Sequence, residues 1–216
     1  FCSTSYKNGF HEFISYLNFI NFLIYYDIDY LNFMSISKKI TVGGLQINNG
    51  FSGQFYLPYS IGILYAYLLH NSQNPERYKF KPIIYKRLAL DDCFNHLKDA
   101  DVILFSTYVW NEQISLAIAK KLKEYDKNKF IIFGGPSVPD NKFGKSEKYL
   151  KKHKFIDVLI HQEGERTVLK LLDQFPSMNF ESIPNISYIE KGDKYINNPN
   201  LPRLKDFENV PSPYLE

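Results

Sequence analysis

Three clusters of small and polar residues each follow directly on an apolar run. They are Ser106, Thr107, Tyr108, Val109, Trp110 and Asn111; Gly134, Gly135, Pro136 and Ser137; and Gln162, Glu163 and Gly164. Hydroxyls, carboxamides and bare backbone hold a ligand by hydrogen bonds, and aromatic rings can stack on a flat one. We take these residues as binding candidates and assign no catalytic residue and no metal ligand. The runs before them, Asp101–Phe105, Lys129–Phe133 and Asp157–His161, are short and apolar, as buried parallel strands are. Between the first two, Ile114, Leu116, Ala117, Ile118, Ala119 and Leu122 recur at helical spacing, with Lys120, Lys121 and Lys123 interleaved. Strand, helix, strand is a parallel crossover, and ligands in such sheets sit beyond the carboxyl ends of the strands. The three clusters fall at those ends.

The elements that must position them run along the rest of the chain. Ile40–Ile47 reads as the first strand, Asn48–Gly53 as the loop after it, and Tyr59–His70 as a helix opened by Pro58. Pro82–Leu88 is expected to be the second strand. Asp91 and Asp92 open a short helix through Leu97, acidic residues being favoured at a helix N-terminus. Lys145–His153 reads as a lysine-rich solvated helix and Gly164–Gln174 as the helix after the fifth strand. This alternation argues for an α/β, Rossmann-like, doubly wound fold with a mostly parallel five-stranded sheet. Beyond Pro176, two alternating runs around Lys191-Gly192-Asp193 predict a small C-terminal β-hairpin. Asn198–Glu216, with four prolines and no periodicity, reads as a linker. The expected division is an α/β domain over 34–176, the hairpin over 177–197 and the linker over 198–216.

Residues 1–33 read differently. Their longest membrane-like piece, Phe13–Tyr26, falls short of the ~20 apolar residues a spanning helix needs. The stretch also lacks the basic leader and cleavage site of a signal peptide. Met34 leads straight into the first strand and is the expected natural start, with 1–33 upstream sequence; the other reading is an amphipathic helix packed on the domain.

Composition sets outer bounds. With 216 residues, 44% apolar and 23% charged, the chain is ordinary for one globular core. A net charge of +3, spread over helix faces, gives no basic stripe for nucleic acid. Two cysteines, Cys2 and Cys93, make no disulfide framework, so the cytoplasm is the expected compartment. No G-x-G-x-x-G follows the first strand and no G-x-x-x-x-G-K-[ST] occurs, which argues against dinucleotide and nucleoside triphosphate sites.

The order of Ser106-x-Tyr108, Phe-Gly-Gly-Pro at 133–136, Glu-Gly-Glu at 163–165 and Val-Pro-Ser-Pro-Tyr at 210–214 resembles the cobalamin-binding domain at the front of cobalamin-dependent radical S-adenosylmethionine enzymes. The resemblance covers roughly Lys38–Glu216. It implies cobalamin as cofactor, its nucleotide tail between sheet and helices and its corrin ring over the strand ends. It implies further that the three clusters line that site. The loop Gln46–Gly53 has no histidine, where cobalt-ligating relatives carry Asp-x-His-x-x-Gly, so binding is expected without a protein imidazole. The family's C-x-x-x-C-x-x-C motif, which holds a [4Fe-4S] cluster beside S-adenosylmethionine, is missing; Cys2 and Cys93 cannot replace it. The chain is therefore expected to be a fragment whose radical barrel lies elsewhere, inactive alone. Methyl transfer is the parent activity the resemblance implies.

Several residues keep a plainer reading beside the ligand-binding one. Trp110 either stacks on a corrin or plugs the sheet edge, and Asn111 is suited to cap the following helix. Glu163 and Glu165 could form an acid–base pair, but Glu165 also suits a helix first turn. His161 is expected to be packed and Cys93 to be structural. Two rival functions remain: an interaction or specificity module that has lost cobalamin, and a flavin-binding enzyme, for which Asn48–Gly53 lacks a Ser/Thr-rich phosphate nest.

Overall fold

Asp101 and Asp157 each stand immediately before an apolar run, and their carboxylates explain how the strands begin. Asp101 Oδ2 accepts from the backbone N–H of Thr41 at 2.8 Å, and Asp157 Oδ2 from that of Ile131 at 2.7 Å. Each satisfies the first free donor of the neighbouring strand, which at a buried sheet end costs stability if left unpaired. Lys123 closes on both oxygens of Asp157 at 2.8 Å and ties the helix before it to the same corner.

The computed structural model describes residues 39–177, 179–205 and 209–214. The stretch 1–33 and the expected start at Met34 lie outside the described residues, as do 206–208 and 215–216 of the C-terminal segment. Nine strands are described: β1 (Ile40–Leu45), β2 (Gly50–Phe51), β3 (Gln54–Phe55), β4 (Tyr78–Phe80), β5 (Val102–Ser106), β6 (Phe130–Gly134), β7 (Val158–Ile160), β8 (Ile186–Glu190) and β9 (Lys194–Asn197). The helices are α1 (Tyr59–Asn71), α2 (Leu90–Leu97), α3 (Glu112–Tyr125), α4 (Lys145–Lys152) and α5 (Glu165–Gln174).

The main sheet runs β4-β1-β5-β6-β7-β8-β9. The first five of these are parallel, the doubly wound arrangement read from the sequence. The C-terminal hairpin is not a separate appendage. β8 pairs antiparallel with β7, and β9 with β8, so the hairpin extends the sheet to seven strands. β2 and β3 form a small ribbon within the loop after β1.

One strand is displaced from its expected place. Ladder pairing to β1 occurs at Tyr78–Phe80, upstream of the expected Pro82–Leu88. After Phe80 the register slips by one residue, four residues to Ile84 opposing three of β1 to Leu45, so the regular ladder ends. The backbone stays tied to β1 beyond it, Ile84 N–H donating to Gly44 O and Gln46 N–H to Ile84 O.

Helices cover both faces. α1 and α5 pack Ile61, Leu68, Val168, Leu171 and Leu172 on one side, against Val42, Leu104, Ile132 and Ile160. α2, α3 and α4 pack Cys93, Leu97, Ile118, Leu122 and Leu150 on the other, against Ile103, Phe105, Ile131 and Phe133. The adjacent Gly43 and Gly44 serve these two layers in turn. A Cβ on Gly43 would come within 2.6 Å of Leu97, and one on Gly44 within 2.4 Å of Ile61. Strand glycines thus let a helix close in on each face.

Where it is described, the C-terminal segment is tied to the domain. Leu201 N–H donates to Asn185 Oδ1 at 2.6 Å, Leu204 N–H to Glu163 Oε2 at 2.7 Å, and Asn71 Nδ2 to Asn209 O at 3.3 Å. Pro202 O accepts from Arg166. Tyr214 lies against Tyr59, ring centroids 6.3 Å apart. The expected free linker is thus, over these residues, a strap on α1 and α5.

Candidate functional site

The loops after β5 and β6 are laced together by backbone. Thr107 N–H donates to Gly134 O at 2.8 Å, and Ser137 N–H to Thr107 O at 3.0 Å. Thr107 Oγ1 also donates to Gly134 O at 2.8 Å. Gly135 makes this approach possible. A Cβ there would stand 2.7 Å from both N and O of Thr107, and its φ of +96° is one that side chains avoid. Gly134 does something else: a Cβ on it would meet nothing nearer than 3.9 Å. The double glycine therefore divides its work between close backbone contact and open space.

That space is a cavity of about 210 Å³ between the ends of β5, β6 and β7 and the first turns of α1 and α5. Its apolar wall includes Ile61, Leu64, Leu104, Ile132, Ile160 and Val168. Two buried polar atoms at its lining have no hydrogen-bond partner, Ser106 Oγ and Glu165 Oε2. Ser106 is only 4% exposed. An unpaired buried polar atom costs about 1–3 kcal/mol, and both belong to residues that line this one cavity, which makes it the candidate site. Burial pushes the Glu165 carboxyl above its ordinary range; backbone N–H groups at the start of α5 oppose this only in part. Gln162, also on the lining, holds a left-handed φ of +61°, which a non-glycine residue adopts at a cost.

Of the candidates, the cavity gathers Ser106, Tyr108, Gly134, Gly135, Pro136, Gln162, Glu163 and Gly164. It does not gather Thr107, Val109, Trp110, Asn111 or Ser137. Thr107 and Ser137 are spent on the loop lacing. Val109 projects from the rim, 87% exposed. Trp110 stacks on Tyr108 with centroids 4.7 Å apart and donates its Nε1–H to Ile47 O at 3.1 Å. It covers the ends of β1 and β5 yet remains 44% exposed. Asn111 stands at the N-cap position of α3 but its side chain does not cap. Fully buried, it donates to Ile47 O and Ser106 O and accepts from Tyr108 N–H, pinning three strand-end groups.

Glu163 and Glu165, considered as an acid–base pair, both lie on the cavity lining but differ in their partners. Glu163 accepts from the strap at Leu204, while Glu165 faces the cavity. His161 Nε2 lies 2.7 Å from Ser187 Oγ, and burial pulls its pKa down, so it is packed against β8. Cys93 is buried in the opposite core layer.

The sequence reading missed the α1 wall of the cavity: Tyr59, Ser60, Ile61, Ile63 and Leu64. Gln46 and Asn48 set that wall. Gln46 Oε1 accepts from Ile61 N–H at 3.1 Å, a helix N-terminal donor that Pro58 leaves unsatisfied, and Asn48 Nδ2 donates to Tyr56 O at 2.9 Å. Two carboxamides just past a strand were the available signal. Ser60 Oγ and the Tyr108 hydroxyl, 3.0 Å apart, then join α1 to the loop after β5. Among the described residues no cluster of His, Cys, Asp or Glu could hold a metal ion, and no helix is long and apolar enough to cross a membrane.

No protein-family model matches the chain. It is 30% identical over 162 residues to the cobalamin-dependent radical SAM methyltransferase TokK of Streptomyces tokunonensis, covering 74% of this chain and 23% of that protein. The chain is homologous to a segment of such enzymes. A second relative, 2-(S-pantetheinyl)-carbapenam-3-carboxylate methyltransferase of Streptantibioticus cattleyicolor, is 27% identical to this homologous segment over 162 residues, with the same coverage. The segment thus spans about a quarter of the length of the curated relatives it matches. Its fold is that of a domain in the cobalamin-dependent S-adenosylmethionine radical enzyme OxsB, solved with aqua-cobalamin and S-adenosylmethionine bound. The TM-score is 0.63 at 19% identity, over 83% of this chain and 24% of that one.

Proposed function

We propose that this chain is the cobalamin-binding domain of a radical S-adenosylmethionine enzyme of methyltransferase type. The observation that carries the reading is the cavity at the strand ends, with Ser106 Oγ and Glu165 Oε2 unpaired at its lining. Its size bears on what enters. At about 210 Å³ it is smaller than the roughly 300–1,000 Å³ of sites that engulf a whole drug-sized ligand. It suits an arm of a larger molecule, here the nucleotide tail, while the ring lies outside across the rim. Val109, Trp110 and Tyr108 offer an apolar and aromatic surface there. The loop Gln46–Gly53 offers no imidazole, so it would give a bound cobalt no histidine ligand.

Bound cobalamin supplies a centre able to carry and pass on a methyl group. The chain's own residues bind the arm, orient the ring over the strand ends and keep water from its buried part. The iron–sulfur cluster, S-adenosylmethionine and the barrel that holds them belong to a partner domain outside this sequence. Nucleic acid is not assigned as a partner, and the reducing cytoplasm is the compartment we assign.

Mixing the protein with hydroxocobalamin and desalting it tests the reading. The expected result is a pink protein fraction carrying about one cobalamin per chain. A colourless fraction from folded protein overturns it and favours a module that has lost the cofactor; a yellow fraction as purified points to flavin.

A further inference from the structure

Backbone N–H groups at the start of α5 serve the Glu165 carboxyl in part, but its Oε2 is left over. A first-turn acid favoured by the helix dipole gains most when its oxygens are solvated or bonded to free backbone N–H groups. Glu165 Oε2 is instead sealed from solvent, without a partner, at the lining of the cavity. Gly164, before it, has the Leu64 side chain closing in; a Cβ there would stand 3.2 Å from it. α1 thus packs closely on the start of α5, and Ser106, also with an unpaired oxygen, lies on the same cavity lining.

On the reading that cobalamin binds here, we infer that Glu165 selects the nucleotide arm by accepting a hydrogen bond from its sugar hydroxyl. The chemistry of the arm narrows the choice. A carboxylate oxygen needs a proton donor. The benzimidazole base has no N–H, and the phosphodiester has no O–H and repels a carboxylate. The ribose hydroxyls are the donors carried next to the base, so they are the part of the arm a buried carboxylate accepts. The raised pKa agrees with an oxygen that lacks its partner in the empty protein. The apolar wall of Ile61, Leu64 and Val168 then receives the base.

Cobinamide, which keeps the corrin ring and its aminopropanol amide but lacks the phosphate, ribose and base, separates this inference from the reading beneath it. Hydroxocobalamin and dicyanocobinamide are titrated against wild type, Glu165→Leu and Glu165→Gln, with far-UV circular dichroism as the folding control. Wild type is expected to prefer cobalamin. Glu165→Leu should lose ten-fold or more in cobalamin affinity and leave cobinamide affinity unchanged. Glu165→Gln keeps an acceptor oxygen and should stay within a few-fold of wild type for both. If Glu165→Leu does not fold, Glu165→Ala carries the same expectation. Equal losses for both ligands, or no loss for either, overturn the assignment of Glu165. Wild-type protein that binds neither ligand overturns the cobalamin reading itself.

Discussion

The pair Gly134-Gly135 shows how much one missing methyl group can decide. Gly135 sits at φ +96° with Thr107 backbone at 2.7 Å from any added Cβ, so a side chain meets both strain and a clash. Gly135→Ala should cost about 2 kcal/mol or more and lower the melting temperature by roughly 5 °C. Gly134 has no such conflict, and its nearest obstacle is 3.9 Å away. Gly134→Val should therefore melt close to wild type while occupying the cavity mouth and abolishing retention of hydroxocobalamin. Thermal melts and desalting of the two variants side by side check the contrast; two equal melting losses would refute it. The same scale separates Asn111 from Ser106. Both are buried polar residues at the carboxyl end of β5, but Asn111 spends its amide on Ile47 O, Ser106 O and Tyr108 N, and Ser106 Oγ keeps its capacity free. A sequence does not show which of two buried polar groups is already satisfied.

Among elements, the parallel core strands were legible and the connections were not. Val102–Ser106 and Phe130–Gly134 are apolar runs too short for helices, bounded by polar residues, and they became β5 and β6. β4 was misplaced because Pro82–Leu88 carries strand-like residues; a one-residue slip of register between Phe80 and Ile84 leaves the regular ladder upstream of them. The proline-rich C-terminal segment has no periodicity, yet it is held through polar contacts that leave no pattern in sequence: Glu163 to Leu204, Arg166 to Pro202 and Asn185 to Leu201. Glu163 is also on the cavity lining, so the strap and the site share a residue. Glu163→Ala should free the segment around Leu204 and speed tryptic cleavage after Arg203 several-fold, since one such hydrogen bond is worth about 1 kcal/mol. Unchanged cleavage, followed by mass spectrometry, would show that the other contacts hold the strap alone.

At the scale of the molecule, two core layers share one sheet. Leu68 belongs to the layer under α1 and α5, Leu122 to that under α2, α3 and α4, and both are fully buried. Because every central strand contributes side chains to both layers, the two should unfold together in one transition. Leu68→Ala and Leu122→Ala are each expected to cost about 2–5 kcal/mol. Their effects should add to within about half a kcal/mol in a single urea transition, as expected for distant sites. Two separate transitions would show that the layers unfold independently. The site gains from this arrangement, because its walls come from both ends of the chain order, α1 early and α5 late, fixed on one rigid sheet.

Local signals set the elements of this protein: apolar runs made strands, aspartates marked two of their starts, and glycines marked where backbone must come close. They also set which strand ends would carry polar residues, since that follows from order along the chain. Only the tertiary structure decided which of those residues face a common void. α1 meets α5 across the strand ends through contacts between residues a hundred positions apart, and no local pattern encodes the gap left between them. Ser106 and Glu165, each with an unpaired oxygen, come onto one cavity lining only through that packing.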